Sequence, residues 1–82
     1  MRETDAVAVA VRHFESSTGQ SAHTGTGTGK VIGQEERGLA VRVCYGHRRP
    51  PQRAWYLVGS EGAVIAELSL DEVSRFGERP WR

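Results

Sequence analysis

The sequence is poor in the features by which small proteins are cross-linked, anchored or exported. It has a single cysteine, Cys44, so no internal disulfide can form, and the secreted mini-domains that depend on such bridges are excluded. No apolar run approaches the ~18–20 residues that cross a bilayer. The first residues, Met1, Arg2, Glu3, Thr4 and Asp5, mix both signs of charge where a signal peptide would be basic and then apolar. Aromatic residues number six and lysines one, against ten arginines, and residues 16–29 carry no charged side chain. These absences lead to the expectation of a soluble, cytoplasmic chain with no membrane association.

The length of 82 residues accommodates one domain, 1–82. A chain of this size buries only about 60–65% of the surface that its unfolded form exposes, so its own core is marginal and a second copy is an expected source of further burial. The net charge of +1 is unevenly spread. Residues 30–56 hold six basic side chains against two acidic ones, whereas residues 57–82 hold three against five, which predicts a dipolar surface.

Periodicity suggests a mainly β chain. Val7, Val9 and Val11 alternate with Ala6, Ala8, Ala10 and Arg12, which reads as a first strand over residues 6–14. Residues 16–29, ending in three Thr-Gly pairs, read as a flexible loop unable to contribute to a core. A short strand follows at 30–32. Leu39, Val41, Val43 and Tyr45 then alternate with Ala40, Arg42 and Cys44, and further strands are expected at 54–58 and 63–68. The glycines flanking Ser60 and Glu61 suit a tight hairpin between the last two. Ser69 with Glu72 three residues later forms a capping-box pattern for one short helical turn, which Gly77 ends. Residues 77–82, with Trp81, form a tail.

This order predicts a small antiparallel barrel or curved sheet of about five strands with a C-terminal helical turn. The run Gly29-Lys30-Val31-Ile32-Gly33, the central Val41-Arg42-Val43, a Trp55-bearing strand, a tight hairpin and a closing turn at residues 68–73 resemble in spacing the SH3-like small barrels over residues 29–76.

Several chemistries can be weighed directly. A phosphate loop would need Gly at Thr24 and Ser or Thr at Val31, followed by a helix where the pattern reads strand. Cys44 and His47 have a C-x-x-H spacing, but His13 and His23 are scattered and no second ligand pair is present, so no metal or other cofactor is expected. A small oligomeric enzyme built on Cys44, with His47 or His13 as base, is a further alternative, without an evident pocket. The paired carboxylates Glu35-Glu36 and Asp71-Glu72 read as a turn and a helix start.

The strongest constellation is basic and aromatic: His47, Arg48, Arg49 and Arg53 in a Pro-stiffened loop, entered through Tyr45 and left through Trp55 and Tyr56. Arg, Trp and Tyr are enriched at protein interfaces, and Arg with aromatics also binds phosphates and bases. The sequence therefore leads to a non-catalytic binding or adaptor module, self-associating, that meets a protein partner through this loop. A nucleic-acid-binding barrel using the same residues is the alternative.

Overall fold

The computed structural model describes residues 2–23, 29–48 and 51–79. Its elements run α1 (Glu3–Thr18), β1 (Gly29–Glu35), β2 (Gly38–Tyr45), β3 (Gln52–Gly59), β4 (Val64–Leu68), α2 (Leu70–Val73) and a closing 3-10 turn (Ser74–Phe76). The Thr-Gly pairs at 24–28, Arg49, Pro50 and the tail residues 80–82, Trp81 among them, lie outside the described residues.

The expected first strand is a helix. Ala6, Ala10 and Phe14 recur every four residues and form its buried stripe, flanked by half-buried Val7, Val9 and Val11. Valine at alternate positions suited a strand. The deciding features are three alanines, sixteen residues free of Gly and Pro, Glu3 and Asp5 in the first turn, and Gly19 just past the end. Gly19 takes the left-handed conformation and its N–H closes on the Glu15 carbonyl. The polar segment after the helix is not wholly outside the core either. Ala22 is buried and forms an isolated bridge with Tyr45, and its N–H donates to Glu15 Oε2.

Among the described residues four strands, not five, form one antiparallel sheet in the order β1-β2-β3-β4, and the sheet does not close into a barrel. The alternation along β2 is as read from the sequence. Leu39, Val41, Val43 and Tyr45 face α1 together with Val31, Ala54, Tyr56, Val58 and Val64. Ala40 faces the other way, packing with Trp55, Leu57, Leu68, Val73 and, around them, Ile32, Ala66, Leu70 and Phe76. Helix α1 covers one face, and residues 70–78 cover the other.

The last two strands form the expected tight hairpin, in which the Gly59 N–H donates to the Ala63 carbonyl. A register shift in their pairing leaves Ile65 exposed. The capping box at the start of α2 is present in both directions: Ser69 Oγ accepts from the Glu72 N–H, and the Glu72 carboxylate accepts from the Ser69 N–H. Arg75 then reaches Glu35, which also accepts from Arg37 Nε at 2.6 Å, and this Arg37 hydrogen bond holds the Glu35 carboxyl below the usual carboxylate range.

Gly33 is where the second layer meets the sheet. A β-carbon there would overlap the Phe76 ring, so the ring lies directly on the strand backbone beside the irregularity in the β1–β2 register. Gly33→Ala is expected to lower stability by about 1–3 kcal/mol, the range for overpacking a filled site. Denaturant unfolding of the single and double variants with Phe76→Ala checks this, because the cost of Gly33→Ala should largely vanish once the ring is gone.

Candidate functional site

The β2–β3 connection projects from a base tied on several sides. Tyr45 pairs with Gln52 across the hairpin, and its ring packs on Phe14 of α1 at 4.6 Å between centroids. From the other side, the His23 N–H donates to the Cys44 carbonyl at 3.0 Å, and His23 Nε2 donates to the Gly46 carbonyl. Beyond this base, His47 and Arg48 are exposed. Arg49, the other expected contact residue of the loop, lies outside the described residues.

The expected loop ends earlier than its sequence suggested. Gln52 and Arg53 belong to β3, where Arg53 pairs with Cys44. The Arg53 side chain is only 6% exposed. Its guanidinium lies over the Trp55 ring at 5.1 Å and its Nη2 donates to the Arg79 carbonyl at 2.5 Å. Trp55 is buried on the same face, and its indole N–H donates to Glu78 Oε1 at 2.9 Å.

Glu78 is the residue that sequence reading missed. Its half-buried carboxylate receives Arg42 Nη1 at 3.3 and 3.4 Å as well as the Trp55 indole, with Arg53 Nη1 at 3.9 Å. One carboxylate thus faces two guanidinium groups, and Arg42 Nε is buried with no hydrogen-bond partner among the described residues. A signal for this cluster was present in the β2 alternation. Arg42 falls between Ala40 and Cys44 on a covered face, where a cation requires an acidic partner from whatever segment covers it.

Trp55 and Tyr56 do not share a surface. As neighbours in a strand they point to opposite faces. Tyr56 is 3% exposed beneath α1, with its ring edge-on to His13 at 5.2 Å. The structure therefore brings Arg53 and Trp55 together, places Tyr45 and Tyr56 on the α1 side, and leaves His47 and Arg48 at the tip. Cys44 is buried and His47 exposed. Among the described residues no three His, Cys, Asp or Glu side chains gather as a metal set would.

Burial, with smaller contributions from Glu67 and Tyr45, raises the Tyr56 phenol above its ordinary value of 10.0. Because the folded state favours the neutral phenol, its contribution to stability is complete below the ordinary tyrosine range and falls as pH rises through the raised value. Ultraviolet titration is expected to show a late tyrosine ionisation that Tyr56→Phe removes, and the variant should lose less stability in alkali than the parent chain. Comparison of the chain with protein-family models, with curated proteins and with solved structures gave no match, so its fold and this cluster are read from its own residues alone.

Proposed function

We propose that this protein is a non-catalytic binding module that receives an acidic segment of a protein partner at its β2–β3 end. The observation that carries this reading is the division of labour between the residues of the loop and those beneath it. Arg48 and His47 are exposed, while Tyr45, Arg53, Trp55 and Tyr56 are drawn into contacts that hold the hairpin in place. An exposed cation on a rigid support loses little conformational freedom on binding, which favours affinity without a large interface.

The same division supports a protein partner over a nucleic acid. Binding of single-stranded nucleic acid draws on aromatic faces open to bases. Trp55 and Tyr56 are buried, Tyr45 is packed on Phe14, and the exposed large apolar side chain among the described residues is Ile65 on β4. Arginine and histidine at a tip, without an open aromatic face beside them among the described residues, suit carboxylates better than bases. Among the described residues β1 and β4 are the outer strands of the sheet, an arrangement that supports self-association by edge pairing.

The experiment is fluorescence anisotropy of a labelled oligoglutamate peptide and a labelled single-stranded oligonucleotide, titrated with the protein at low and near-physiological salt. The peptide is expected to bind more tightly than the oligonucleotide. Arg48→Ala combined with Arg49→Ala should weaken peptide binding at least about tenfold, roughly 1.4 kcal/mol, with an unchanged melting temperature. Preference for the oligonucleotide, or full peptide binding by the double variant, would overturn the reading.

A further inference from the structure

The outer strands among the described residues, β1 and β4, differ in what they offer a neighbour. Each pairs with a shift in register: on β1 between Val31 and Gly33, and on β4 around Ile65, where Leu57 pairs with Ala66 and Val58 with Val64. On β1 the residue at the shift, Ile32, packs against the second core, and at the strand's end Glu35 is held by Arg37 and Arg75. On β4 the residue at the shift, Ile65, has no register partner on β3 and is 51% exposed, the large apolar side chain left outside among the described residues. An outer strand presents a row of N–H and C=O groups for which another strand is the matching partner. We infer that β4 is the contact between two copies of this chain, paired antiparallel across a two-fold axis at Ile65. The inference rests on the reading that the chain self-associates by edge pairing, and names the strand, the register and the occupant.

The composition of the edge selects a second copy as the occupant. Residues 62–68 carry one charged side chain, Glu67, so two such edges can meet without a cation from elsewhere. A two-fold axis sets a strand antiparallel to its own copy and makes the contact isologous. Placed at Ile65, the axis opposes the two exposed isoleucines as a cross-strand apolar pair. The same register keeps the two Glu67 residues four positions apart, about 14 Å at the rise of a strand and beyond the ~8 Å screening length. An axis at Ala66 would instead set Ile65 against Glu67 and bring the carboxylates within about 7 Å along the strand, and an axis at Glu67 would oppose them directly. Glu61 stands in the hairpin turn, outside the paired run 63–67. An acidic segment of another protein is repelled by Glu67, which separates this contact from the one at the Arg48 tip.

The test uses the full chain in sedimentation velocity. A contact of about five residue pairs lies at the small end of protein interfaces, so the mass is expected to rise from one copy to two between about 10 µM and about 1 mM. Ile65→Glu is expected to weaken the association at least about tenfold. The melting temperature of the dilute chain should stay unchanged, because Ile65 is half exposed. The register is read by two cysteine variants, Ile65→Cys and Glu67→Cys, in which the buried Cys44 is kept as a common background. Oxidation by diamide is expected to join Ile65→Cys chains into a covalent dimer and to leave Glu67→Cys and the parent as single chains, since a disulfide requires Cα atoms within about 7 Å.

Folding of Ile65→Glu is checked by circular dichroism, and the cysteine pair carries the test alone if that variant unfolds. Association of folded Ile65→Glu at the strength of the parent, or cross-linking of Glu67→Cys as fast as that of Ile65→Cys, would overturn the β4 contact while leaving self-association standing. A mass of one copy at every concentration would overturn both. Arg48 and Arg49 are untouched in every arm, so these results stand apart from those of the tip variants.

Discussion

Strands β2 and β3 are apolar on both faces, and the remainder of the structure follows from the need to cover them. On one side Val41, Val43, Tyr56 and Val58 meet α1 through Ala6, Ala10 and Phe14. On the other, Ala40, Trp55 and Leu57 meet Leu68, Val73 and Phe76. A four-residue helix cannot by itself roof this second face. The 3-10 turn and residues 77–78 complete the cover, and Gly33 allows the Phe76 ring to rest on the strand backbone. Two cations, Arg42 and Arg53, stand on the covered face, and Glu78 is the carboxylate brought to them by the covering segment.

Covering both faces also places the charge at the two ends of the strands. Glu35, Glu36, Asp71 and Glu72 gather with Arg37 and Arg75 around a shallow recess beside the β1–β2 turn. His47, Arg48, Arg53 and Arg42 lie toward the β2–β3 end. The dipolar distribution expected from the sequence thus has a structural form. One end is bound internally by Arg75 reaching across to Glu35, and the other sets Glu78 against Arg42 and Arg53 beneath an exposed tip.

Much of the sheet was legible in the sequence because strand alternation and tight turns are local signals. The faces of β2, the β3–β4 hairpin, the Ser69–Glu72 capping box and the stop at Gly77 are all encoded within a few residues of where they act. The misreading of α1 has a different origin. Val7, Val9 and Val11 satisfy a two-residue period while Ala6, Ala10 and Phe14 satisfy a helical one, and only packing against the sheet decides between the two. The expected binding loop erred by treating Trp55 and Tyr56 as one aromatic surface when adjacent strand residues face opposite ways. The β2 alternation signals that Arg42 needs an acidic partner, but not that Glu78 supplies it, because those contacts lie 23 to 36 residues away along the chain.

The central claim is that the Glu78 carboxylate closes the second face on Trp55, Arg42 and Arg53. Hydrogen exchange of the Trp55 indole proton in the full chain, distinguished from that of Trp81 by comparison with a Trp81→Phe chain, tests it most directly. A buried indole N–H bonded to the carboxylate should exchange orders of magnitude more slowly than an exposed indole at the same pH. Exchange at the rate of an exposed indole would contradict the account.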